Sequence, residues 1–321
     1  MTWIWICRTR IILTIFKMAK TLVVLAGPTA VGKTRFGIVL AKALQTEIIS
    51  ADSRQIYKEA SIGTAVPSPE ELKAIRHHFI QTVSLEEDYN ASRYEQDVLR
   101  LLEELFRRYD LVLLVGGSGL YIRAVCEGID DLPPHDPALR TKLLSRYEQE
   151  GLRSLTEELW RVDPVSAGRI DLKNHMRVLK ALEVSLQTGK PYSEFLSGKP
   201  ARRPFNILRL ALDMERGELY RRINERVDRM MEEGLLEEVK RLQPYARCNA
   251  MKSVGYRELF DYLEGKVSLE EAVDRIRRNT RKFARKQITW FRKNDLYRWF
   301  SPDEVREAVR WIRESSDLQD R

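Results

Sequence analysis

Apolar positions along the chain fall into two patterns. Short continuous runs occur at Thr21 to Ala26 (TLVVLA), Glu47 to Ser50, Leu111 to Val115 and Asn206 to Leu212 (NILRLAL). The first is rich in branched residues and carries no polar alternation, as expected of a parallel strand buried on both faces, and the others read as strands beside it. Between them apolar residues recur at helical spacing, up to Leu44 after the first run and around Tyr94 to Arg107 before the third. Strands alternating with helices in this way predict a parallel sheet covered by helices.

The texture changes at Ile129, where DDLPPHDP forms a Pro-rich, acidic hinge. From Ala138 to about Thr188 only helical periodicity is found, and the Pro and Gly cluster SGKPARRP closes the segment at Pro204. The strand-like NILRLAL rejoins the sheet, and helices are expected from there to the end. No internal repeat or low-complexity tract interrupts this scheme. The first 17 residues (MTWIWICRTRIILTIFK) contain no apolar run longer than Ile11 to Phe16, well short of the ~20 residues of a membrane span. Because Met18 opens MAKTLVVLAGPT, residues 1–17 are expected to be a non-functional extension from an upstream start.

A chain of 321 residues that is 43% hydrophobic can bury one good core and a smaller second one. Cys7, Cys126 and Cys248 stand far apart without metal-site spacing, which fits a reducing, cytoplasmic compartment. The net charge of +8 is concentrated: Arg275 to Arg298 holds ten Lys or Arg residues and one acid, leaving the remainder near neutral. Arg278, Arg281, Lys282, Arg285 and Lys286 recur at helical spacing among Phe283, Trp290, Phe291, Tyr297 and Trp299. This is the pattern of a phosphate-tracking stripe on nucleic acid, with a plain solvated helix face as the alternative.

Gly27, Pro28, Thr29, Ala30, Val31, Gly32, Lys33 and Thr34 match G-x-x-x-x-G-K-[ST] between a predicted strand and a predicted helix, the context in which this motif cradles phosphates. Backbone N–H groups and the helix start favour an anion, Lys33 adds a full charge, and the Thr34 hydroxyl is placed to ligate Mg²⁺. The third strand runs into Gly116, Gly117 and Ser118 rather than an Asp, which argues against an NTP-driven motor or switch. Asp52 is the carboxylate expected at the sheet edge beside the loop, as a turn residue or as a functional one. The fold class is therefore α/β, a P-loop NTPase-like parallel sheet with an inserted all-helical subdomain. Residues 18–128 and 201–321 would form the catalytic core with C-terminal basic helices, and 129–200 the insert.

GPTAVGKT, ISADSRQIYK, IGTAVPSPEE, LVGGSGLYIRA, VGYRE and FARKQITWFRK, in this order, closely resemble the tRNA dimethylallyltransferase (tRNA isopentenyltransferase) family over Lys20 to about Lys293. The resemblance implies that dimethylallyl diphosphate alkylates the exocyclic N6 amine of adenosine 37, giving N6-isopentenyladenosine in tRNAs reading codons that begin with U. It also implies that the helical insert closes over the anticodon stem-loop. Under it Asp52 is the candidate base, while Lys33, Arg222 and Arg226 face the leaving diphosphate and Ser118 adds a polar contact. Members often have Thr at the position of Ser118; the hydroxyl is kept. The resemblance further assigns tRNA reading to Asp52, Ser53, Arg54, Gln55, Ser118, Arg140, Met176, Arg177, Val178, Leu179, Lys180, Lys252, Ser253, Val254, Gly255, Tyr256 and Arg257, with Arg278, Arg281, Arg285 and Gln287 from the basic helix. The zinc-finger extension of eukaryotic members is missing, so the chain looks like the bacterial, monomeric form. Two rivals differ in their needs. An adenylate isopentenyltransferase or a P-loop nucleotide kinase has no need of the basic stripe, and a pure RNA-binding protein has no need of the phosphate loop or Asp52.

Overall fold

The computed structural model describes residues 20–130, 132–133, 136–196, 198, 200–293 and 295–318; the expected extension, 1–17, lies outside them. The chain runs β1 (Thr21–Ala26), α1 (Lys33–Leu44), β2 (Ile48–Ala51), α2 (Pro69–Ala74), β3 (His77–His78), α3 (Ala91–Leu105), β4 (Leu111–Gly116) and α4 (Gly119–Glu127). Three helices follow, α5 (Pro137–Val162), α6 (Pro164–Arg169) and α7 (His175–Thr188). Then come β5 (Asn206–Leu212), α8 (Arg216–Glu232), α9 (Leu235–Arg241), α10 (Tyr256–Leu263), α11 (Leu269–Arg292), β6 (Arg298–Phe300) and α12 (Val305–Leu318).

The sheet is parallel throughout, in the order β3-β2-β4-β1-β5-β6. β1 lies inside it, with Thr21 opposite both Leu111 of β4 and Asn206 of β5, and all six of its residues are buried. Such a strand has no wet face, which is why its sequence shows no polar alternation. The loops after β1, β2 and β4 therefore meet at one carboxyl edge, where open α/β sheets bind ligands.

Helices were expected from Leu212 onward, but the basic run is broken. α11 stops at Arg292, and Arg298–Phe300 pairs with Leu210–Leu212 as an edge strand. Three residues are too few for periodicity to register; Phe300 is instead drawn in by burial in the core beside Leu212 and Ile312. Tyr297 packs edge-on against Phe291, and Arg292 lies over the Trp299 ring.

The chain divides into two compact units. The larger takes the described residues up to Tyr89, Val98–Ile122 and those from Arg203 onward. Its core includes Val23, Leu25, Leu40, Leu113, Leu210, Ile223 and Ile312. The smaller takes Asn90–Asp97 and Arg123–Arg202, with a core of Leu143, Leu155, Leu159, Val178, Leu179 and Leu182. Within it α5 is kinked at Gly151 (φ +77°). The wholly buried Asp163 starts α6 by accepting from Ser166 N–H at 2.9 Å and holds Ser193 N–H at 2.8 Å.

Burial in this unit corrects one expectation. Val178 and Leu179, assigned to tRNA reading, have no exposed surface. α7 turns a side chain inward every three or four residues, and these two fall on the inward face. Of that segment Met176 and Arg177 are exposed and Lys180 is half-buried.

Candidate functional site

β1 ends at Ala26, and Gly27 turns the chain with φ +147°, where a Cβ would lie 2.9 Å from the carbonyl of Leu212. Gly32 (φ +102°) precedes α1, whose first-turn N–H groups lack intrahelical partners. Glycine is thus required at both positions by backbone conformation or close approach. The Lys33 ammonium donates to the carbonyls of Gly27 (3.0 Å) and Pro28 (2.6 Å). Burial pushes Lys33 down to about 7, with the Asp52 charge opposing and the Arg226 charge adding to the effect. A bound polyanion would restore its charge.

The loop is propped from far along the chain. Thr29 N–H donates to Gln287 Oε1 at 2.8 Å, and Gln287 Nε2 donates to the Gly117 carbonyl at 3.0 Å. Gln287, assigned to RNA reading, is 7% exposed and spends its amide tying the phosphate loop to the turn after β4.

Asp52 follows β2. Its Oδ1 accepts from the N–H groups of Arg54 (2.9 Å) and Gln55 (3.3 Å), leaving Oδ2 without a hydrogen bond among the described residues. Ser118 Oγ accepts from Ser53 N–H at 2.9 Å and so fixes the same turn. Gly116 is needed here because a Cβ would collide with the Ala51 backbone. Asp213 also stands at the carboxyl edge, after β5, but it is paired with Arg292 and does not line the cavity.

These groups open onto one cavity of about 620 Å³. It brings together the phosphate loop, Asp52 to Gln55, Ser118, Arg222, Arg226, Lys252 to Gly255 and Gln287. Arg226 is half-buried, and the desolvation this entails lowers its pKa, while the nearby Asp52 charge opposes that shift. Arg222 donates to Glu218 at 2.8 Å. Ile223, Val227, Met230 and Ile276 add apolar wall. The cavity can hold an anion at one end and an apolar group beside it, with a carboxylate oxygen available to take a proton. Thr34 lines it, and a single hydroxyl fits Mg²⁺, which keeps most of its shell as water and phosphate oxygens. Among the described residues no cluster of three His, Cys, Asp or Glu offers a dedicated metal cage.

The other expected residues lie elsewhere. Tyr256 is 1% exposed and donates its hydroxyl to Glu238, so it is a packing residue rather than a reader of RNA. Arg257 pairs with Glu258 at 2.5 Å and does not line the cavity. Arg278 is held by Glu271 (2.8 Å) and Arg281 by Asn224 (2.8 Å), whereas Lys282, Arg285 and Lys286 are exposed. Arg140 pairs with the buried Glu183 of the smaller unit at 2.9 Å. Two parts of the wall were missed. Arg229 was detectable one further helical step beyond Arg222 and Arg226; Gly63, Thr64 and Ala65 follow no spacing rule.

The sequence model of a family described as IPP transferase matches residues 55–294. The chain is 48% identical over 288 residues to tRNA dimethylallyltransferase 2 of Azobacteroides pseudotrichonymphae, covering 90% of this chain and 94% of that protein. With tRNA dimethylallyltransferase 1 of Bacteroides fragilis the identity is 46% over 297 residues, covering 92% and 99%. Among solved structures, the full-length tRNA isopentenylpyrophosphate transferase of Bacillus halodurans matches with a TM-score of 0.68 at 37% identity, covering 93% and 97%. A eukaryotic dimethylallyltransferase acting on tRNA matches with a TM-score of 0.76 at 28% identity, covering 94% of this chain and 79% of that one.

Proposed function

The chain belongs to the IPP transferase family of tRNA dimethylallyltransferases, and on that footing we propose that it transfers the dimethylallyl group of dimethylallyl diphosphate to N6 of adenosine 37 in tRNAs reading codons that begin with U. That it is a transferase prenylating tRNA follows from the family; the donor, the position and the roles below are our reading.

The observation that carries the chemistry is the shared cavity of the phosphate loop, Asp52 and the Arg222–Arg226 face. The bond from the allylic carbon to the diphosphate oxygen breaks, and its electron pair leaves with the diphosphate. Lys33, Arg222, Arg226 and the amides at the start of α1 would stabilise that charge as it develops. The allylic carbon bonds to N6, and Asp52 Oδ2 accepts the N6 proton, which helps because the amine's lone pair is delocalised into the ring. Thr34 would hold Mg²⁺, which when bound would offset charge on the diphosphate and leave Asp52 Oδ2 open to the amine. The apolar wall suits the prenyl chain. A target base in a single-stranded loop leaves its stack at lower cost than one in a helix.

We assign 129–200 to the anticodon stem-loop, supported by the exposed Met176 and Arg177. We take the chain to act as a monomer in the cytoplasm, a reading supported by Cys126 and Cys248 not being joined in a disulfide.

Asp52→Ala tests the assignment. Turnover should fall by about 10² to 10⁴ with tRNA affinity nearly unchanged, as expected for a lost general base. Mass spectrometry of adenosine 37 after single-turnover reaction reads the product. Weakened tRNA binding at normal turnover would reverse the role, and efficient prenylation of free AMP would favour a small-molecule acceptor.

A further inference from the structure

One wall of the cavity is Gly63 to Ala65 and another is Lys252 to Gly255. Neither is part of the sheet or the phosphate loop, yet both are tied to one residue behind them. Glu238, on α9, is 2% exposed and does not line the cavity. Its Oε2 accepts from the N–H groups of Ser61 (3.0 Å) and Ile62 (2.8 Å). Its Oε1 accepts from Gly63 N–H (3.0 Å) and from the Tyr256 hydroxyl (2.7 Å). Three consecutive amides thus converge on one carboxylate, the arrangement that backbone elsewhere offers to bound anions. Tyr256 directly follows the second wall, and its ring fills the space beside Gly63, where a Cβ would lie 2.5 Å from Cζ. On the near side Gln55, next to Asp52 in the cavity lining, donates to the carbonyls of Thr64 (3.2 Å) and Ala65 (2.7 Å).

We propose that Glu238 is a positioning residue for the acceptor side of the cavity: by holding the Ser61–Gly63 amides and Tyr256 together it sets the distance between the two walls that flank the tRNA base. The inference rests on the transfer reading above. A carboxylate is required, because only two acceptor oxygens with no hydrogens can face four donors. In Glu238→Gln the amide nitrogen must point either at the Ser61 and Ile62 amides or at the Gly63 amide and Tyr256, leaving buried donors unpaired.

The test compares wild type, Glu238→Gln and Tyr256→Phe, using an anticodon stem-loop as acceptor and dimethylallyl diphosphate as donor. In Glu238→Gln, kcat/KM for the stem-loop should fall by about 10- to 100-fold, the size expected when one or two buried donors lose their acceptor. The Kd for the donor should stay within about twofold, since the phosphate loop is held by other groups. Hydrogen exchange at Ser61 to Gly63 should accelerate. Tyr256→Phe, which removes a single donor, should shift the same quantities in the same direction by less. Stem-loop kinetics within about twofold of wild type in both variants would overturn the proposal. So would equal losses of donor and acceptor affinity accompanied by a lower Tm, which would mark a general structural role. If the wild type itself fails to prenylate the stem-loop, the transfer reading is at fault. The exchange rates at 61–63 would still show whether Glu238 holds the loop.

Discussion

The Gly27–Thr34 turn and the Ser61–Gly63 turn both border the cavity with backbone amides, but those of the second are taken by the Glu238 carboxylate from within the chain. The open turn is held from its flanks, by Gln287 on Thr29 and by Lys33 folded back on two carbonyls. The filled turn is held at its centre. On the reading proposed above, the same backbone chemistry makes a ligand site in one place and a rigid wall in the other, and the difference is whether the protein supplies its own carboxylate.

Breaking the open side should have the larger effect. Lys33→Ala removes the one ammonium in the cradle and should weaken donor binding by about 10- to 100-fold, the range of a lost charge-assisted hydrogen bond. Titration calorimetry with dimethylallyl diphosphate reads it, and an unchanged affinity would mean that the turn is not the anion site. Gln287→Leu keeps most of the side-chain volume but leaves the Thr29 N–H and Gly117 carbonyl unpaired. About a tenfold loss of donor affinity is expected, with tRNA affinity intact at moderate salt. Loss of tRNA binding alone would return Gln287 to the RNA interface.

On the filled side, Gly63→Ala forces a methyl against the Tyr256 ring. Overpacking costs about 1–3 kcal/mol, so kcat/KM for the stem-loop should drop severalfold while donor binding holds. Equal effects on both substrates would erase the distinction between the two turns.

The smallest effect lies outside both turns, on α11. Replacing Lys282, Arg285 and Lys286 by Gln should lower the slope of log K for tRNA against log salt by about 2, at roughly 0.7 per phosphate contact. Replacing Arg278 and Arg281 should change it by less than about one, because Glu271 and Asn224 already hold them. Equal slopes for the two variants would show that these internal pairs open when RNA binds.

The features legible from sequence are those whose demands are local. The phosphate loop needs glycines at particular backbone angles and a Lys-Thr pair at the helix start, all within eight residues. β1 is a continuous apolar run because both faces are covered, and its bounds follow directly from composition. Asp52 is found because it ends a strand next to that loop. The supports are illegible for the opposite reason. Gln287 lies 258 residues from Thr29, and Glu238 lies 175 residues from Gly63, distances at which no spacing rule operates. Tyr256 was read as an RNA contact because a motif match says nothing about which face of its residue is buried.

The span from Thr29 to Gln287 also orders events during synthesis. β1 emerges from the ribosome early, yet its neighbour β5 begins only at Asn206, and the amide that braces the phosphate loop arrives with α11. A nascent chain stalled before that helix carries the whole loop motif without its brace. At ~5–20 residues per second, the interval between translating Thr29 and Gln287 is on the order of ten seconds to a minute. Donor-binding competence should therefore arise late, only once α11 has been made and has packed against the loop.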